Sequence, residues 1–154
     1  MKEINLTKGL NAIVDDADFD FLIKFKWCAS GGHKTDYAVR GKNGRIIQMH
    51  RLIMGDPPFL RAQVDHIDGN GLNNQRHNLR WCTKAQNRRN EPKRKGYSNK
   101  FKGVSFDPRR EKFRCYIKIA GKQQWLGYFS SEVEAARCYN RAALQHFGEY
   151  ASLN

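Results

Sequence analysis

The stretch QVDHIDGNGLNNQRHNLRWCTKAQNRRN, Gln63 to Asn90, decides how the rest of the chain is read. Val64-Asp65-His66-Ile67 closes a short strand. Asp68 to Asn78 is rich in Gly and Asn, which tolerate turn conformations and bond their own main chain, so the chain reverses there into a second strand, Leu79 to Cys82. Thr83 and Gln86, three positions apart, form a capping-box pattern that starts a helix and places Asn87 in its first turns. The local order is strand, loop, strand, helix.

Upstream, the apolar pieces Ile4 to Leu6 and Ala12 to Val14 precede DDADFDFLIKFKW. Asp15 or Asp16 is placed to cap a helix whose Phe19, Leu22, Ile23 and Phe25 form a core stripe. Trp27 to Ser30, Tyr37 to Arg40 and Arg45 to His50 read as strands separated by Gly31-Gly32 and Lys42-Asn43-Gly44 turns. Arg40, Lys42 and Arg45 on that sheet form either a DNA-facing or a simply solvated surface. His50 reads as strand-end structure or a minor phosphate contact, His77 as a loop side chain and His33 as surface.

Downstream, Lys112 to Ile119 alternates, with Phe113, Cys115, Ile117 and Ile119 on one face and Arg114, Tyr116 and Lys118 on the other. Gly103 to Phe106 and Gln123 to Phe129 supply two more strands. Ser131 with Glu134 is a second capping box, and the helix from Glu132 stops at Gly148. Val133, Ala136, Tyr139, Ala143 and Phe147 are spaced to lie against the sheet. The expected class is α+β: a small mixed N-terminal module, residues 1–90, a basic linker, 91–100, and a three-stranded antiparallel sheet packed on one helix, 101–154.

The 154 residues carry a net charge of +13, and residues 88–118 alone hold twelve basic and three acidic side chains. Such an excess favours a polyanion, nucleic acid being the usual one, although a membrane surface or solubility fits charge alone. Arg88 to Lys100 has no aliphatic side chain and reads as a tether, either solvated or lying along phosphates. With 40% hydrophobic residues the chain has material for packed cores, and it contains neither a signal-peptide-like apolar region nor a ~20-residue apolar span. It reads as soluble, intracellular and without membrane association. Cys28, Cys82, Cys115 and Cys138 form no C-x-x-C pair, so reduced and mostly buried thiols are expected.

The ordered set Asp65-His66, Asn78 twelve positions after His66, and Asn87 twenty-one after it, with N-L-R-W-C-T between, resembles the HNH nuclease motif. This is the ββα-metal motif, and the likeness is greatest to phage intron-encoded homing endonucleases. The resemblance implies that His66 is the general base, that Asp65 and Asn87 hold one divalent cation, and that Asn78 braces the loop from behind the substrate. The residue types suit the chemistry. A neutral imidazole accepts a proton from attacking water at cellular pH. Where many members have a second metal-binding His, this chain has Asn87, and two hard oxygen donors favour Mg²⁺, with Mn²⁺ as substitute, over Zn²⁺.

F-K-G-V at Phe101 to Val104, W-L-G at Trp125 to Gly127 and E-A-A-R-x-Y-x-R-A-A from Glu134 to Ala143 resemble the ethylene-response-factor DNA-binding domain of plant transcription factors. The resemblance implies a sheet laid in the major groove of double-stranded DNA, with Lys102, Lys118 and Trp125 facing it. Arg114 and Tyr116 qualify from alternation alone. Ser105, Asp107 and Gln123 depart from the family's arginines, and Arg109 and Arg110 in the adjoining turn are placed to take over contacts. The expectation is a cytoplasmic, homing-type endonuclease that nicks DNA as a monomer or weak dimer. A non-cutting DNA-binding regulator is the alternative, and a structure-specific repair nuclease a third reading.

Overall fold

A computed structural model describes residues 1–31, 35–91 and 100–154, so His33 and most of the basic stretch read as a linker lie outside the described residues. The chain divides into two compact units, Met1–Asn87 and Arg88–Asn154.

The first unit opens with a hairpin of β1 (Lys2–Asn5) and β2 (Asn11–Val14), followed by α1 (Asp16–Leu22). A three-stranded antiparallel sheet follows, built from β3 (Cys28–Ser30), β4 (Tyr37–Lys42) and β5 (Arg45–Gln48). Next come α2 (Met49–Met54), the antiparallel pair β6 (Gln63–His66) and β7 (Leu79–Cys82), and α3 (Lys84–Asn90). Ile4, Val14, Leu22, Trp27, Met49 and Val64 meet in one core. The core is drawn from β1, β2, α1, β4, α2, β6 and β7, which makes each of these short elements dependent on the others.

Four sequence expectations change here. Asp15 does not cap α1 with its side chain; its Oδ2 accepts from the Arg76 backbone N–H at 2.8 Å and its Oδ1 from the Gln75 amide at 3.2 Å. Ile23 leaves the stripe and is half exposed, because the seven-residue helix ends before it. Arg40 does not project outward as a free charge, since its guanidinium stacks 3.8 Å from the Phe25 ring centroid. His50 lies not at a strand end but on α2, 5% exposed, where a phosphate contact is ruled out by burial. Of the cysteines, Cys82 and Cys115 are buried and Cys28 is exposed.

The second unit holds β8 (Val104–Asp107), β9 (Lys112–Ile119) and β10 (Lys122–Phe129), antiparallel in the order β10-β9-β8, and α4 (Glu132–Phe147). Cys115 and Ile117 point to the helix, which buries Ala135, Ala136, Tyr139, Ala142 and Ala143 against them. Small alanines let the helix approach the sheet closely. Val133, expected on that face, is 48% exposed. Ser131 caps α4 through the Val133 N–H at 3.2 Å, while Glu134 accepts from Ser130 instead of closing a capping box. Gly103 sits at φ 74°, and a Cβ there would collide with the Tyr139 ring and the Tyr116 carbonyl, so only glycine permits this approach.

Candidate active site

β6 ends in a strand whose alternation sends Val64 and His66 to one side and Gln63 and Asp65 to the other, all but Gln63 fully buried. Thr83 and Gln86 close a full capping box: the Thr83 N–H donates to Gln86 Oε1 at 2.8 Å and the Gln86 N–H to Thr83 Oγ1 at 3.2 Å. α3 therefore starts where expected, and its Asn87 Nδ2 donates to Gln63 Oε1 at 3.0 Å. Because Gln63 and Asp65 share a face of β6, this bond puts the Asn87 amide on the Asp65 face.

Asp65 stands directly across from Arg80 on β7, and Arg80 donates to its Oδ2 from Nε at 2.9 Å and Nη2 at 2.7 Å. The side chains are only 11% and 5% exposed, so removing either partner would leave a buried charge uncompensated, at a cost of about 3–5 kcal/mol. Sequence reasoning missed Arg80; the cross-strand register would have found it once both strands were placed.

His66 is 5% exposed, with Nε2 facing Asn74 Oδ1 at 3.5 Å. Asn74 is fully buried and fixed: its Nδ2 donates to the Leu72 carbonyl at 3.1 Å and its backbone N–H to the Ile13 carbonyl at 2.7 Å. Burial is the main cause that pushes the His66 pKa below its ordinary value, against opposing pulls from the Asn74 contact and from the Asp68 and Asp65 carboxylates. The imidazole is neutral at cellular pH, as a proton acceptor must be.

Asn78, 5% exposed, spans the loop. Its Oδ1 accepts from the Asp68 N–H at 3.0 Å, and its Nδ2 donates to Asp68 Oδ1 at 2.9 Å and to the Asn73 carbonyl at 2.8 Å. The loop is also held from outside: Ile13 on β2 exchanges backbone bonds with Leu72 and Asn74, and Asp18 on α1 grips Arg76 at 2.7 and 2.8 Å. His77 remains an ordinary residue of the turn before β7.

His50 is held neutral, its pKa pushed down to about 3, first by burial, then by repulsion from His66 when that ring is protonated, and then by the Arg51 charge. Unfolded, this group protonates near its ordinary pKa of ~6.5, so the unfolded state binds more protons below that value. Stability is complete above pH ~6.5 and falls as pH drops toward 3, by on the order of 2 kcal/mol between pH 7 and pH 5 from His50 alone. Urea melts of wild type and His50→Phe at those two pH values check this; the variant should lose markedly less on acidification.

In the second unit, Arg114, Tyr116 and Lys118 lie on the sheet face opposite the helix, and the register sets Tyr128 across from Arg114 and Trp125 across from Tyr116. Trp125 and Tyr128 meet edge to face at 4.7 Å, and Trp125 is 51% exposed. Ser105 accepts from Arg114 Nε at 2.6 Å, and Asp107 accepts from the Tyr128 hydroxyl at 3.1 Å. Arg109 and Arg110 are exposed in the adjoining turn, with Arg110 stacked on Tyr128 at 4.9 Å. Lys102 turns elsewhere: its Nζ donates to the carbonyls of Arg89 and Glu91 at 3.2 and 2.7 Å.

Among the described residues no three His, Cys, Asp or Glu side chains gather as a metal cage. The Asp65 carboxylate and the Asn87 amide oxygen, whose nitrogen is committed to Gln63, nevertheless fit a hard cation that keeps most of its ligands as water and phosphate oxygens.

Residues 49–89 match the family model described as HNH endonuclease. An uncharacterized HNH endonuclease of Acanthamoeba polyphaga mimivirus is 33% identical over 152 residues, 96% of this chain and 76% of the relative. The chain belongs to the HNH endonuclease family. Family membership makes it a nuclease with a DNA substrate, and HNH endonucleases generally use a divalent metal. Shorter matches link this HNH family member to APETALA2-like protein 2 of Oryza sativa subsp. japonica, 39% identical over 57 residues, 37% of this chain and 13% of the relative. Protein 3.8 of Escherichia phage T7 is 38% identical over 60 residues, 39% of this chain and 50% of the relative. No solved structure matches. Among the described residues no helix is long and apolar enough to cross a membrane.

Proposed function

We propose that the protein is a site-directed, homing-type DNA endonuclease that nicks one strand, leaving 5′-phosphate and 3′-hydroxyl ends. The observation that carries the reading is the split at the end of β6: a buried, neutral His66 on one side, and Asp65 with the Asn87 amide on the other. Asn74 as acceptor favours the tautomer protonated at Nε2, which puts the basic lone pair on Nδ1. Nδ1 takes the proton from the attacking water. Asp65 and Asn87 are the residues that would hold Mg²⁺, or Mn²⁺ in its place. Held there, the cation would supply positive charge against the negative charge developing on the departing 3′ oxygen. Arg80 holds the Asp65 carboxylate in one orientation, and Asn78 keeps the loop and hence the His66 strand end in place.

Residues 101–154 serve as an ethylene-response-factor-type reading module on double-stranded DNA, supported by the basic and aromatic sheet face and by the likeness to plant APETALA2-like proteins. Arg114, Tyr116, Lys118, Trp125, Arg109 and Arg110 contact DNA, with Arg114 aimed by Ser105. Lys102, tied to the Arg89 and Glu91 carbonyls, braces the module instead. The basic segment between adds phosphate affinity, and tethering raises the local concentration of a weakly binding catalytic module. The protein works in the cytoplasm as a monomer or weak dimer.

The test is plasmid nicking at low salt with Mg²⁺, with Mn²⁺ and with EDTA. Conversion of supercoiled to open-circle DNA with either metal and none with EDTA supports the reading; DNA retention without cutting, even on the native insertion locus, overturns it in favour of a regulator. Binding should weaken steeply with salt: with about six phosphates neutralised, log K falls with a slope of roughly −5 against log salt. Filter binding across a salt series measures it.

A further inference from the structure

The general base of the proposed reaction is walled by two rings from outside the strand–loop–strand–helix unit. The His50 ring on α2 meets the His66 ring edge-on, centroids 5.0 Å apart and planes at 90°. Tyr37 on β4 closes the third side, 5.6 Å from His50 and 5.8 Å from His66. We propose that His50 and Tyr37 are positioning residues, which hold the His66 imidazole in the orientation and tautomer that reaction requires.

Burial keeps His50 from water and so from phosphate: it is 5% exposed, and its Nδ1 is buried without a hydrogen-bond partner. An unsatisfied buried nitrogen is a cost to the fold, so Nδ1 does not account for a histidine at this position. What His50 does offer is a flat, rigid edge against the face of a second ring, an arrangement that aromatic pairs prefer. Tyr37 is itself wedged. Gly71 of the loop presses so closely on it that a Cβ at Gly71 would collide with the Tyr37 ring and the Asp36 carbonyl, and the Gly71 N–H donates to Thr35 Oγ1 at 2.9 Å.

The contact from Nε2 to Asn74, at 3.5 Å, is long for a hydrogen bond. Two walls at an angle restrict a ring that pivots about χ1 and χ2. A displacement of about 1 Å in a reacting group lowers a rate by about 100-fold, so a ring stop of this kind acts on turnover and not on DNA binding.

This inference rests on His66 being the base, and its test separates the two claims. Single-turnover nicking should fall about 10- to 100-fold in His50→Ala at unchanged KM, while His50→Phe, which restores the ring without the nitrogen, should stay within about 3-fold of wild type. In ¹⁵N-histidine spectra, His66 should show the Nε2-protonated tautomer in wild type and His50→Phe, and a mixture in His50→Ala. Tyr37→Leu should repeat the His50→Ala pattern, which keeps the test open if His50→Ala does not fold. An unchanged rate and tautomer in folded His50→Ala or Tyr37→Leu, or an equal fall in His50→Phe, overturns the proposal. If wild type cuts nothing, the nuclease reading fails, while the tautomer comparison still decides whether the walls position the ring.

Discussion

Replacing His66 with alanine lowers single-turnover nicking by about 10²–10⁴-fold and leaves retention of the plasmid in a shift assay unchanged. The magnitude is that of a positioned base lost, and the separation from binding follows from burial: His66 is 5% exposed and is not itself part of any charged surface that meets phosphate. The loss should appear in kcat and not in KM, because the proton is moved only in the chemical step. His66→Gln is the sharper variant, since its amide refills much of the space beside Asn74 yet has no basic lone pair at cellular pH. A residual rate near that of wild type in either variant, measured with saturating Mg²⁺, would remove His66 from the mechanism.

The second large effect is expected at Asn78. Alanine there removes the partner of the Asp68 N–H and of the Asn73 carbonyl in a partly buried turn, and a loss of about 1–3 kcal/mol in urea melts is expected. Asn78→Asp is nearly isosteric and should be worse than alanine at neutral pH. Its carboxylate replaces a donor that points at Asp68 Oδ1, 2.9 Å away, so two anionic oxygens would face each other. In the wild type, burial raises the Asp68 pKa, but hydrogen bonds from the Asn70 backbone and from Asn73 and Asn78 outweigh that and hold it below the usual value; the variant removes the Asn78 donor and leaves those from Asn70 and Asn73. Nicking should fall in both variants even at temperatures where the protein stays folded, because the loop begins at the end of the strand that carries His66.

Much of the motif was legible because its signals are local. The Asn/Gly loop, the strand Leu79–Cys82 and the capping box at Thr83 each depend on residues a few positions apart, and all three form as read. The alternation of Lys112 to Ile119 was equally plain, since a strand with one covered face leaves a period of two in the sequence. The residues around the candidate base were not legible in this way. In sequence, Asn74 is one of several asparagines of the Gly/Asn-rich loop, His50 reads as strand-end structure or a minor phosphate contact, and Tyr37 as the first residue of a strand. Each meets His66 across a separation in sequence of 8, 16 or 29 positions, and no periodicity encodes such a meeting. Asp15 illustrates the same point. As a helix cap it obeys a local rule, yet its oxygens are taken by Gln75 and Arg76, 60 and 61 positions away.

That distant grip bears on how portable the motif is. A fragment cut at the limits of the family match, residues 49–89, would carry Asp65, His66, Asn78 and Asn87 intact. It would lack Ile13, Asp15 and Asp18, which hold the loop, and Tyr37, which walls the base. The candidate site residues are thus a short cassette in sequence but not in physics. Grafting them onto a new DNA-binding partner calls for the N-terminal hairpin, α1 and the β4 strand to travel with them, because those elements carry the residues that brace the loop and wall the His66 ring.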